Sequence, residues 1–185
     1  MSPPAETLPE NYFSEITRLL DDLDARPRPT HSPRGLAHRG TLGDFTSIVC
    51  FQEAVRGLED VLGPDGTAVV LIRAGRLRGQ ALVDDWGVGH LDLPIEKIGL
   101  LLDAALGRDG TRLCAVRGIT ENPQEIRVKV AEALCSAGQA GSSDLGCPYT
   151  LGAVWGALEA LTGQHFQAAR AVHGQAGEEL VFKRP

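Results

Sequence analysis

Close to its C-terminal end the chain reads CPYTLGAVWGALEALTG (147–163), with small residues at every fourth place: Gly152, Gly156 and Ala160. That interval puts all three on one face of a helix, and a face without side chains lets another element approach to backbone contact. Leu151, Val154, Trp155, Leu158 and Leu161 supply apolar bulk around the rest of the surface, so this helix belongs inside a core. Pro148 suits its first turn and Gly163 its stop. Two readings of the notched face stand side by side. In one, it packs closely on a sheet. In the other, the glycines beside Trp155 leave room for an apolar ligand between helix and sheet.

The rest of the chain supplies partners for such a helix. Residues 1–9 are rich in proline, and Tyr12, Phe13, Ile16, Leu19, Leu20 and Leu23 then repeat at helical spacing up to about Asp24. Pro27, Pro29 and Pro33 break the following stretch into an extended connection. From Leu42 to Leu62 the apolar positions return every three or four residues, and Gly63-Pro64 ends that helix. The β-branched run Ala68 to Ile72 reads as a strand covered on both faces, with Ala74-Gly75 as a tight turn and Leu77 to Val83 as its hairpin partner. Pro94 opens a helix through Ile95, Ile98, Leu101, Leu102 and Leu106, which Gly107 stops. Leu113–Val116 is a further strand, and the alternation Ile126, Val128, Val130 a clearer one. Residues 136–146, dense in glycine and serine, form a loop. Strands at 166–172 and 180–183 close the chain. The pattern predicts an α+β fold, an antiparallel sheet packed against helices, with an N-terminal helix and linker over 1–40 and one domain over 41–185.

Composition narrows the function. The chain has 185 residues, 43% of them hydrophobic and 23% charged, with a net charge of −6. That is enough apolar material for one core and too acidic for a dedicated nucleic-acid binder. No apolar run reaches the ~20 residues that cross a bilayer, and MSPPAETLPEN has neither a basic nor an apolar leader segment. The expected setting is cytoplasmic. There the four cysteines, Cys50, Cys114, Cys135 and Cys147, widely spaced and without a CxxC pair, are expected to be reduced thiols.

Chemistry-bearing patterns are sparse. Cys50 and Cys114 fall at positions of small buried hydrophobes. Cys147, at a helix start that favours a thiolate, is the one cysteine with a physical argument for reactivity, but no histidine or acid is tied to it. The histidines lack ligand spacing, so neither a metal site nor a haem ligand is expected. No glycine-rich phosphate cradle follows a strand. The pairs Asp84-Asp85 and Glu178-Glu179 point to opposite faces of a strand and read as solubilising charges. No catalytic residue is assigned, and no cofactor.

The run IRVKVAEALCSAGQAGSSDLGCPYTLGAVWGALEALTGQHFQAARAVHGQAGEELVFKR resembles the C-terminal half of the 4-vinyl-reductase-like (hydrocarbon-binding) domains. Upstream, GDFTSIVCFQEAVRGLEDVLGPDGTAVVLIRAGRLRGQ is similar to the same family's opening helix and the turn after it. The likeness spans residues 42–183 and rests on glycines and apolar pattern. It implies membership of the superfamily of haem-NO-binding and vesicle-tethering domains, a buried apolar pocket, and pairing as a homodimer. Zinc-binding members carry Glu-x2-Cys-x3-Gly-x3-Cys after the cysteine that matches Cys147. Aligned on Gly174, this chain offers Gln167, Arg170 and Glu178 there, which cannot close a tetrahedral zinc site.

The resulting expectation is a sensor-type domain holding a small hydrophobic or aromatic ligand, lined by Phe51, Trp86, Tyr149, Gly152 and Trp155, with Cys147 at the mouth. Each 100 Å² of ligand surface buried is worth only about 2.5 kcal/mol, so the guest must be largely enclosed. The alternative is a homodimeric interaction scaffold with a filled core. Neither reading involves nucleic acid or membrane.

Overall fold

The computed structural model describes residues 48–90, 92–108, 110–134, 147–174 and 177–185. The expected N-terminal helix, its proline-rich connection and the 136–146 loop lie outside them. The described elements are α1 (Ile48–Asp85), α2 (Ile95–Leu106), β1 (Ala115–Glu121), β2 (Glu125–Ala131), α3 (Pro148–Thr162), β3 (Ala168–Gly174) and β4 (Gly177–Lys183). The four strands form one antiparallel sheet in the order β1-β2-β4-β3. Helices and a single antiparallel sheet make this an α+β fold.

α1 is two helical arms. Gly63 stands between them with φ 70 and ψ 169, a backbone open to glycine, and Pro64 begins the second arm, where its missing N–H costs nothing. The break is a fold-back. Phe51 and Gly75 each lie twelve residues from Gly63, about 18 Å of helix in either direction, yet both meet Tyr149: the Phe51 ring at 5.5 Å between centroids, Gly75 against the Tyr149 carbonyl. Only a chain that reverses at Gly63 brings them to one place.

The second arm corrects the expected strand and hairpin over 68–83. Those residues are helical throughout. Within the β-branched run, Ala68 and Leu71 are buried, whereas Val69 and Val70 are 68% and 42% exposed. Burial recurs at Ala68, Leu71, Gly75, Gly79, Leu82 and Val83, a helical interval that the valines concealed. Glycines 75 and 79, expected in or beside a turn, lie on the buried face because a neighbouring helix needs that space.

The remaining elements follow their expected signals. Pro94 precedes α2 and Gly107 ends it. α3 runs from Pro148 to Thr162 and closes on Gly163 at φ 66. On β2, Ile126, Val128 and Val130 all face inward and pair with Phe182, Leu180 and Glu178 of β4. The first strand begins later and runs further than expected, from Ala115 to Glu121, with a register shift between Val116 and Gly118. The core lies between the sheet and α2 and α3, filled by Ile98, Leu101, Leu102, Val154, Leu158 and Leu161 against these inward strand residues. Among the described residues no helix is long and apolar enough to cross a membrane.

Candidate functional site

α3 has two unlike faces. Its glycines meet α1, not the sheet. A Cβ on Gly152 would stand 2.1 Å from the Ile72 carbonyl oxygen, and one on Gly156 would stand 1.9 Å from that of Arg76. The contact is reciprocal, for Gly75 abuts Tyr149 and Gly79 abuts the Ala153 carbonyl. Four glycines therefore mesh two helix backbones. The expected hollow beside Gly152 is occupied by α1, and Gly152 borders no space for a guest.

Trp155 flanks this seam on the side toward the sheet. Its ring packs 6.4 Å from Phe182 on the inner face of β4, and Phe182 lies 6.0 Å from Phe166. The Arg76 guanidinium covers the indole at 4.5 Å, a cation over an aromatic face. Arg76 also donates from Nε and Nη2 to the two carboxylate oxygens of Glu159, each at 2.8 Å. Glu159 Oε1 accepts in addition from the Phe166 amide at 3.2 Å. The fork holds guanidinium and indole in one arrangement. Within it, the indole N–H of Trp155 is buried and has no acceptor among the described residues. An unmet buried donor costs about 1–3 kcal/mol.

The other expected lining residues do not gather around Trp155. Phe51 and Tyr149 pair with each other near the N-terminal end of α3, and burial raises the Tyr149 hydroxyl above its ordinary pKa while Arg78 pulls it down. Trp86 is half-buried beyond the last turn of α1, about 16 Å of helix past Gly75. Cys147 is fully buried, not at a mouth, and is disulfide-bonded, to a residue outside the described set. The expectation of four reduced thiols is therefore corrected at this position. Thr150 Oγ1 lies 2.9 Å from the Cys147 sulfur, and since that sulfur carries no proton the hydroxyl is the donor. Cys50 and Cys114 are free, the first exposed and the second buried.

Three polar side chains escaped the sequence reading. Arg76 and Glu159 lie 83 residues apart, and no local spacing joins them. Glu178 is 8% exposed, and its Oε2 has no hydrogen-bond partner among the described residues. It was expected to be a surface charge with Glu179. The signal was present in the alternation Glu178, Leu180, Phe182, which sets the first of the pair on the apolar face. Glu179 does face outward, accepting from Arg127 at 2.8 Å. Burial chiefly, then the charges of Asp103 and Glu178, push the Cys114 thiol up to about 12. No group of three metal-ligating side chains occurs among the described residues.

Solved structures align with the chain, and one of them covers nearly all of it. It is the phenol-responsive sensory domain of the transcription activator PoxR, solved with phenol. The match covers 96% of this chain and 92% of that one, with a TM-score of 0.60 and 14% identity. The two share a fold. No protein-family model matches the chain, and neither does any curated protein sequence.

Proposed function

We propose that this chain is a sensor-type domain, of the 4-vinyl-reductase-like kind it resembles, that binds a small aromatic or apolar molecule at the Trp155 face of α3 and catalyses no reaction. The observation that carries the reading is the buried indole N–H of Trp155, which finds no acceptor among the described residues, set among Phe182, Phe166 and the Arg76–Glu159 fork. A guest with a hydrogen-bond acceptor on an apolar body meets both needs of that place. Phe51 and Tyr149 form a second aromatic surface at the N-terminal end of the same helix. The shared fold with a phenol-responsive domain supports the reading and makes phenol the first probe.

Calorimetry with phenol, anisole and benzene tests it. Phenol and anisole, which carry an acceptor oxygen, bind more tightly than benzene. Trp155→Phe keeps the ring and removes the donor, so it erases that preference, roughly a fivefold to tenfold effect for one hydrogen bond. Failure of all three to bind would sink the reading.

A second reading, the homodimeric scaffold, has its own support. Of the eight large hydrophobics exposed among the described residues, seven lie on α1: Ile48, Val49, Val61, Leu62, Val69, Val70 and Leu77. In this reading α1 faces a second copy of the chain. Light scattering on Val70→Glu/Leu77→Glu then reports a monomer where the parent protein is a dimer.

A further inference from the structure

The second arm of α1 turns one face to solvent. Val69, Val70 and Leu77 on it are 68%, 42% and 51% exposed, and the exposed Arg73 stands midway between Val69 and Leu77. Positions four and eight apart share a side of a helix, so these residues form one patch. A single exposed aliphatic needs no explanation, but a contiguous apolar patch marks a place where something docks. From Gly66 to Val83 the arm carries Arg73, Arg76 and Arg78 and no acid. Arg76 is held by Glu159, whereas Arg73 lies within the patch itself and gives it a positive charge.

A second copy of the chain fits this patch poorly. Two copies meeting through it about a two-fold axis would cross near Arg73, and each guanidinium would face its own mate. The N-terminal sequence offers a better match. Tyr12, Phe13, Ile16, Leu19, Leu20 and Leu23 give residues 10–24 an apolar stripe at helical spacing. Glu10, Glu15, Asp21, Asp22 and Asp24 accompany it against the single Arg18, so the segment is as acidic as the patch is basic. As a helix it would be about 22 Å long, the length of α1 from Gly66 to Gln80. Its attachment point is close. α1 begins at Ile48, three residues before Phe51, whose ring meets Tyr149, and Tyr149 abuts Gly75 between Val70 and Leu77. Residues 25–47 reach up to about 75 Å when extended, far more than the path requires. A flexible tether holds its end at an effective concentration near millimolar, so even a modest contact is populated.

We propose that residues 10–24 dock as a helix on the solvent face of the second arm of α1, with their apolar stripe over Val69, Val70 and Leu77 and their acids about Arg73. This is independent of the ligand-binding reading, and it gives to the chain's own N-terminal segment a face that the scaffold reading gives to a second copy.

Hydrogen exchange of the full chain, read by mass spectrometry, tests it. In the parent, the amides of residues 10–24 exchange roughly tenfold or more slowly than in the urea-unfolded chain. That protection is unchanged on dilution over about two decades, as an intramolecular contact requires. Val70→Glu/Leu77→Glu abolishes it while α3 and the sheet keep theirs. Arg73→Glu lowers it severalfold, and Glu15→Lys/Asp22→Lys added to Arg73→Glu restores part of the loss, which a general loosening of the fold would not do. Exchange of residues 10–24 at the unfolded rate in the parent overturns the inference. Protection that survives Val70→Glu/Leu77→Glu also overturns it, placing the segment elsewhere; if the same variant turns a dimer into a monomer, the face belongs to a second copy. Protection lost on dilution overturns it as well, since the contact would then join two chains. Should the double variant fail to fold, Arg73→Glu and its charge swap decide, and no change in either overturns the inference.

Discussion

The two faces of α3 solve opposite problems. Toward α1 the helix gives up side chains, and Gly152 and Gly156 let two backbones touch with no volume to spare. Toward the sheet it presents Trp155, large, packed against another ring and polar at one atom that finds no partner among the described residues. The first face is finished by the protein itself. The second rests on side-chain contacts. A helix of this kind teaches that glycine spacing alone does not announce a cavity. The space a glycine opens belongs to whichever element reaches it first, and here that element is a neighbouring helix.

The contrast breaks most visibly at the seam. Gly79→Ala or Gly156→Ala forces a methyl to within 1.9 Å of a backbone carbonyl. Each is expected to cost about 3 kcal/mol or more, or roughly 10 °C in melting temperature, as read by calorimetric scanning. The control is Gly57→Ala, with nothing within 4 Å of the new methyl, where a gain of about 0.5–1 kcal/mol is expected from helix propensity. A mild effect at Gly156 would show the seam to be loose.

On the other face the largest structural effect is at Arg76. Arg76→Ala strips Glu159, whose side chain is 11% exposed, of its charged partner and uncovers the indole. Because Arg76 itself is 41% exposed, solvent screens part of the loss. A cost of about 1–2 kcal/mol in urea denaturation follows. Trp155→Phe stays within about 1 kcal/mol of the parent in the same assay, because the hydrogen bond it deletes is unmade in the unliganded chain. If Trp155→Phe proves the costlier of the two, the indole N–H has a partner within the fold.

The cysteines add a chemical measure of the same division. The Cys114 thiol is held near 12, against 9.0 for the unshifted group. The unfolded chain therefore loses this proton first as pH rises, and folding is opposed progressively between about pH 9 and 12, with no such penalty below 9. Cys114→Ala flattens the alkaline limb of a pH–stability profile. Iodoacetamide at pH 8 labels the exposed Cys50 in the native protein and reaches Cys114 only in denaturant.

Much of the fold was legible, and the exceptions share a cause. α3, α2 and β2 declare themselves because a proline, a glycine or a strict alternation marks each boundary or face. The second arm of α1 misled because Val69, Val70 and Ile72 carry β propensity that tertiary packing overrode; only Ala68, Leu71 and the two glycines report the helical face. The candidate site was half legible. Trp155 could be singled out as a large aromatic beside small residues, but its partners Arg76 and Phe182 come from distant segments. Glu178 was hidden by a sound rule applied to the wrong member of a pair, since adjacent strand residues do point apart and one of them had to point in.

The reversal at Gly63 has a mechanical consequence. No residue from 48 to 62 belongs to the buried core or to the partly buried shell around it, and the Phe51 ring against Tyr149 ties the first arm of α1 to α3. Swinging that arm would part Phe51 from Tyr149 and leave the sheet undisturbed.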